Sequence, residues 1–233
     1  MKLKKTIFNS KIAIVVPVFN EEKNIFNELN KWEKKFRSFK VKKFKFLVIN
    51  DGSTDNTLKQ IQKINSKKIQ IFNYKNSGHG AACFKGYKIA LKQNFEWIFQ
   101  IDSDGQCDPK FLEIFLKNSK KNNCVFGLRV SREDGILRLI FSKILSLLVF
   151  LKKGSFVPDI NVPYRLMHRK VLLKCVKSIP QVSILKNAHL SYLISLKTKI
   201  YYIPIKFLKR SYGNSKYNLL TMFFQVLNLL KYI

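Results

Sequence analysis

The spacing of apolar residues changes period several times along the chain, and each change marks an element. Residues 11–18 (KIAIVVPV) form a short, β-branched run, the pattern of a strand buried on both faces of a parallel sheet. Residues 21–39 switch to helical spacing, with Ile25, Leu29, Trp32 and Phe36 on one face. Residues 44–49 predict a second strand, stopped by Asn50-Asp51-Gly52-Ser53; Thr54 or Asp55 then caps a helix to about residue 64. Residues 69–73 predict a third strand. A glycine-containing turn at 78–80 leads into a helix to about residue 94, and residues 97–101 predict a fourth strand. Pro109 opens another helix, over residues 110 to about 121. Strands alternating with helices of this length predict an α/β fold with a doubly wound sheet. Such sheets bind ligands beyond the carboxyl ends of their strands. Asn20-Glu21, Asp51-Gly52-Ser53, Asn76-Ser77-Gly78 and Asp102-Ser103-Asp104 each follow a strand, so they are expected to converge on one crevice.

The second half has a different pattern. Residues 136–151 are almost continuously apolar, and Arg138, Ser142 and Ser146 form one narrow polar stripe. As a helix this run is about 24 Å long, marginal for crossing a bilayer. Residues 219–230 repeat the theme, with Thr221, Gln225 and Asn228 as the stripe. Two readings fit both runs: packed core helices, or helices lying in a membrane interface with neighbouring lysines toward anionic headgroups.

Composition adds a strong charge bias. Lys and Arg number 44 against 14 Asp and Glu, a net charge of +30 over 233 residues. An anionic partner or a simply lysine-rich, solvated surface both account for it. Nucleic acid is not the expected partner, because no zinc spacing, RNA-recognition signature or helix-turn-helix pattern accompanies the charge. The four cysteines, at 83, 107, 124 and 175, have neither metal-ligand spacing nor a disulfide framework, and no secretory leader is read at the amino end. A reducing, cytoplasmic setting is expected.

The candidate chemistry sits at Asp102 and Asp104. Alternate residues on extended chain project the same way, so the two carboxylates can meet at one point. They repel there unless a cation lies between them. Hard oxygen donors suit Mg²⁺ or Mn²⁺, ions that commonly also hold substrate phosphates. Gln106 offers a further neutral oxygen.

Several motifs stand in a fixed order: Val16-Pro17-Val18-Phe19-Asn20-Glu21-Glu22; Asn50-Asp51-Gly52-Ser53-Thr54-Asp55; Gly78-His79-Gly80-Ala81-Ala82; Asp102-Ser103-Asp104-Gly105-Gln106; Gly127-Leu128-Arg129; Asp159 with Arg165; and Arg210 with Gly213, Ser215 and Lys216. In this order the sequence resembles the family 2 glycosyltransferases, in the branch that includes dolichyl-phosphate mannose synthase. The resemblance covers residues 11–216. It implies a GT-A fold with a mixed sheet, a nucleotide-diphosphate sugar donor and an inverting transfer. It also implies roles. Pro17, Phe19, Glu21, Asp51, Gly80, Asp102 and Ser103 would hold the donor, and Asp102, Asp104 and Gln106 the Mg²⁺ or Mn²⁺. Asp104, Asp159, Arg129 and Arg165 would form the catalytic set, and Arg132, Arg210 and Lys216 would clamp an acceptor phosphate. Phe19 replaces a common Tyr and keeps only its packing. His79 stands where the family often has Lys. The expected organisation is a basic extension over 1–10, a catalytic domain over 11–216 and an amphipathic helix over 217–233.

The acceptor is read from what is missing. A sugar hydroxyl must lose a proton as it attacks and needs a general base, whereas a polyprenyl phosphate is already an anion. Asp159 is the last acidic residue in the chain; residues 160–233 contain no Asp or Glu. A lipid-phosphate acceptor at the cytoplasmic face of an anionic membrane is therefore expected. The alternative is a saccharide hydroxyl, with Asp159 or His189 as base.

Overall fold

The structure is a computed structural model and describes residues 8–39, 41, 43–132, 136–154, 156–210 and 219–232. Four strands match the runs read from the first half: β1 (Ile12–Val18), β2 (Phe44–Asp51), β3 (Ile69–Tyr74) and β4 (Trp97–Gln100). Three more come from the second half: β5 (Cys124–Arg132), β6 (Arg165–His168) and β7 (Tyr201–Phe207). Together they make one sheet in the order β3-β2-β1-β4-β6-β5-β7. β1 to β4 are mutually parallel, β6 runs antiparallel to β4 and β5, and β7 is parallel to β5. The sheet is therefore mixed, as the resemblance implies.

Side-chain alternation assigns the two faces. Ile14 is in register with Phe46 and Phe99, and this rung meets α1 (Ile25–Ser38) through Trp32 and Phe36. The next rung, Val15 with Leu47 and Gln100, turns to the opposite face and meets α3 (His79–Lys92). The approach is close: a Cβ on Gly86 of α3 would lie 2.4 Å from Val15 Cγ1. The remaining helices are α2 (Thr57–Gln62), α4 (Leu112–Asn118), α5 (Ile136–Lys153), α6 (Arg169–Val176), α7 (Lys186–Ser195) and α8 (Leu219–Tyr232).

Two boundaries differ from the sequence reading for identifiable reasons. α1 starts at Ile25 rather than near 21: residues 22–24 form a turn, and the backbone N–H groups of Glu21 and Glu22 bond to Thr57 Oγ1 and Asp55 Oδ2 across the crevice. The helix after Pro109 opens as a 3₁₀ turn over Pro109–Phe111, capped by Asp108 accepting from Lys110 N at 2.8 Å, and α4 ends at Asn118.

The packed-core reading holds for the inner faces of the two apolar runs. The inner faces of α5 and α8 enclose a second core with α7: Leu145 and Val149 meet Val226, Leu229, Ala188 and Tyr192. Ser146, a member of the expected polar stripe, is on this buried side. The outer faces remain apolar and exposed at Ile144, Leu147, Leu151, Phe224 and Leu227. Among the described residues, no helix is long and apolar enough to cross a membrane.

Candidate active site

The loops beyond β1 and β2 are laced together. Asn20, at φ 54°, accepts from Thr54 N at 2.8 Å through its side-chain oxygen and donates its own N–H to Ser53 Oγ. Asn tolerates this left-handed backbone better than most residues. Gly52, at φ 74°, packs where a Cβ would lie 2.7 Å from Asn76 N, so the third loop presses on the second. Asp51 completes the join. Its carboxylate accepts from Ser77 N, Ser77 Oγ and Gly78 N, with Lys85 Nζ at 3.8 Å. Asp51, expected to hold the donor, takes these bonds from its own protein and shapes the 76–78 loop that opens α3. Gly80, on the first turn of α3, faces the 184–186 segment, where a Cβ would come 3.2 Å from Ile184 O.

The fourth loop carries the carboxylates. Ser103 Oγ donates to Pro17 O, which fastens this loop to the end of β1. Asp102 Oδ1 accepts from His79 Nε2 at 2.8 Å and from Gln100 Nε2 at 3.4 Å. Asp104 Oδ1 accepts from Gln106 N at 3.1 Å. Burial, and then the charge of Asp102, push the Asp104 carboxyl up to about 7. Glu21 lies close by, paired with Arg210 Nη2 and accepting from Asn24 Nδ2 at 2.6 Å. Arg210 thereby closes the crevice from the far side, beyond β7, and its charge faces Asp104.

Asp102 and Asp104 form a donor set that fits a hard divalent cation. They are two carboxylates in mutual repulsion, and among the described residues Oδ2 of each accepts no hydrogen bond. No third His, Cys, Asp or Glu among the described residues joins them in a ligand group. Mg²⁺ sites of that kind are completed by water and substrate phosphate.

Other expected residues fall elsewhere. Gln106 is buried, and its side-chain amide donates to Leu208 O at 2.9 Å, so it ties the loop to the end of β7 while its backbone N–H serves Asp104. Arg165 has no exposed surface. Its guanidinium donates to the carbonyls of Val162, Asn187 and Ile160, and buried carbonyls of this kind need a donor. It braces the 160–165 turn and α7 rather than presenting itself to a phosphate. Arg129 makes a bidentate pair with Asp159, Nε to Oδ2 at 2.7 Å and Nη2 to Oδ1 at 2.6 Å, with both side chains buried. Each of the two is thus already matched by the other. Phe19 sits half-buried at the mouth of the crevice. Arg132 ends β5, and only its backbone is described; Lys216 lies outside the described residues. His189 is buried, with no hydrogen-bond partner for Nδ1 among the described residues, and burial and then Lys186 lower its pKa. Sequence reasoning missed Gln100, Tyr87 and Asn187. Gln100 carried a legible signal, as a polar side chain inside the buried run WIFQ.

Comparisons with known proteins give the family and the fold. The model for "Glycosyl transferase family 2" matches residues 13–176. An uncharacterized protein of Methanocaldococcus jannaschii is 33% identical over 171 residues, covering 68% of this chain and 72% of that one. An undecaprenyl-phosphate 4-deoxy-4-formamido-L-arabinose transferase of Salmonella choleraesuis is 26% identical over 228 residues, covering 94% of this chain; the chain spans 65% of that protein's length. Among solved structures, glucosyl-3-phosphoglycerate synthase from Mycobacterium tuberculosis, in complex with Mn²⁺, UDP and glucosyl-3-phosphoglycerate, superposes with a TM-score of 0.69 at 18% identity, covering 95% of this chain and 79% of that one. Mannosyl-3-phosphoglycerate synthase from Rubrobacter xylanophilus gives 0.64 at 15% identity, covering 95% and 72%. The fold is GT-A-like, and with the family model spanning well over half its length the chain belongs to glycosyl transferase family 2, as a glycosyltransferase enzyme.

Proposed function

We propose that this transferase moves a sugar from a nucleotide-diphosphate donor to a lipid phosphate at a membrane surface, as a relative of the polyprenyl-phosphate branch of the family. The observation that carries the acceptor assignment is the Arg129–Asp159 pair. It neutralises the last acidic residue of the sequence inside the protein, so a hydroxyl acceptor would find no poised carboxylate on that side. A phosphate acceptor needs none. The relative from Salmonella, whose name specifies undecaprenyl phosphate, supports the same reading.

In this reading the donor lies beyond β1, β2 and β4, with its diphosphate toward Asp102 and Asp104. Those carboxylates would hold a Mg²⁺ or Mn²⁺, which supplies charge neutralisation to the leaving diphosphate. Phe19 and Pro17 offer apolar contact to the base. Arg210 stands across from the carboxylates and can meet phosphate with its guanidinium fork once Glu21 yields. Arg132 and Lys216 complete the proposed acceptor clamp. The acceptor phosphate oxygen attacks the anomeric carbon from the face opposite the diphosphate. The new C–O bond forms as the old one breaks, and the nucleoside diphosphate leaves. The catalytic unit spans residues 11–216, with the 217–233 segment as its amphipathic appendage.

In this reading the outer faces of α5 and α8 are the membrane contact. Exposed apolar patches of this kind mark interaction sites, and the net charge of +30 complements an anionic lipid surface. The test is incubation with Mn²⁺, a panel of labelled GDP- and UDP-sugars, and polyprenyl phosphate in mixed micelles. The expected product is labelled lipid, absent with Asp104→Ala. Label appearing only on a saccharide hydroxyl, lost in Asp159→Asn or His189→Ala, would overturn the assignment in favour of a saccharide acceptor.

A further inference from the structure

Beneath the carboxylates lies a buried polar chain that runs from α7 to Asp102. Tyr87 Oη donates to Gln100 Oε1 at 2.8 Å and faces Asn187 Oδ1 at 3.1 Å; Asn187 Nδ2 in turn donates to Cys83 Sγ at 3.3 Å. Gln100 Nε2 faces Asp102 Oδ1 at 3.4 Å. All four of Cys83, Tyr87, Gln100 and Asn187 are buried. An ionised carboxylate only accepts, so Gln100 must turn its NH₂ toward Asp102 and its oxygen toward Tyr87. Tyr87 has one hydroxyl proton, and burial keeps it there by pushing the phenol well above 10. That proton goes to Gln100 Oε1. On its other side the same hydroxyl faces Asn187 Oδ1, and Asn187 Nδ2 donates to Cys83 Sγ, which joins the hydroxyl to α7.

The result is a short series of donors toward the carboxylate, Tyr87 O–H to Gln100 Oε1 and Gln100 N–H to Asp102 Oδ1, with Asn187 holding the Tyr87 hydroxyl from α7. His79 adds its Nε2–H to the same Oδ1. Arg165 anchors the far end by donating to Asn187 O at 2.8 Å. We propose that Tyr87, Gln100 and Asn187 are positioning residues that saturate Asp102 Oδ1, leave Oδ2 to the divalent cation, and tie that geometry to α7. The inference rests on Asp102 being a metal ligand, as in the proposed function. Partners one step beyond a ligand typically tune metal affinity by 10- to 100-fold.

The experiment measures Mn²⁺ binding directly, from the free-ion paramagnetic resonance signal, for wild type, Tyr87→Phe, Gln100→Met and Tyr164→Phe. Tyr164→Phe is the matched control: it also removes a buried phenol, bonded to Asp108 O and not part of the series. Metal-free binding of nucleoside monophosphates is measured alongside. The expected result is a loss of about tenfold or more in Mn²⁺ affinity in Tyr87→Phe, with nucleoside binding retained and Tyr164→Phe matching wild type. Gln100→Met, which removes the last donor, should reproduce the loss even if Tyr87→Phe fails to fold. Mn²⁺ affinity unchanged in folded variants, or lowered equally by Tyr164→Phe, overturns the inference while leaving the metal site standing. Wild-type protein that binds no Mn²⁺ overturns the site reading and this inference with it.

Discussion

At the scale of single residues, the site shows which roles a local motif carries and which depend on distant packing. Asp102 and Asp104 were legible as a converging pair because two residues of spacing set their geometry. Asp51, Arg165 and Gln106 stand in motifs as conspicuous, yet their partners come from Ser77, Asn187 and Leu208. No spacing rule reaches that far. The Arg129–Asp159 pair is a case with a measurable consequence. Both side chains are buried and mutually satisfied, so Arg129→Ala leaves a carboxylate without its counter-charge. Removing one partner of such a pair costs about 3–5 kcal/mol. Urea unfolding of Arg129→Ala should show a loss of that size, and the double replacement Arg129→Met with Asp159→Leu should lose clearly less. Equal losses for the single and double variants would mean the pair's packing, not its charge, is what counts.

At the scale of elements, the first four strands were read nearly to the residue because each is a short buried run between polar stops. β5, β6 and β7 were not read. β7 buries Ile203, Ile205 and Phe207 in strict alternation, a legible period of two. β6 is only four residues long and begins with Arg165, a charge whose burial no pattern foretells. Close packing of α3 on β1 makes Gly86 a sensitive position. Gly86→Ala should destabilise by about 1–3 kcal/mol, read as a lower urea midpoint, because the added methyl meets Val15 and Ile49. α7 yields a pH prediction. His189 is buried there with its pKa lowered by burial and by Lys186, so as pH falls past 6.5 the unfolded chain takes up a proton that the folded one refuses. Its contribution to stability is complete above pH 6.5 and is lost on acidification. His189→Gln should therefore lose less of its melting temperature than wild type between pH 7 and pH 5.5; parallel curves would contradict this.

At the scale of the whole molecule, charge and apolar surface act together. The inner faces of α5 and α8 belong to a core, so substitutions there would confuse stability with binding. The outer faces allow a cleaner separation. Leu147 and Leu151 are 50% and 70% exposed on α5, which means that replacing them removes little packing. Inserting such side chains into a lipid interface contributes up to about 1.5–3 kcal/mol each when burial is complete. The surrounding lysines add about 1 kcal/mol apiece near an anionic surface, a contribution that salt screens. Leu147→Glu with Leu151→Glu should thus lower sedimentation with phosphatidylglycerol-containing vesicles by tenfold or more, with an unchanged melting temperature. Raising the salt should weaken wild-type binding progressively, and neutral vesicles should bind least. Soluble-donor binding should be the same in both proteins, because Asp102 and Asp104 sit at the strand ends and not on the α5–α8 face. If the double variant sediments like wild type, the exposed face serves something other than a membrane, and the lipid-phosphate acceptor would have to be delivered to the crevice by another route.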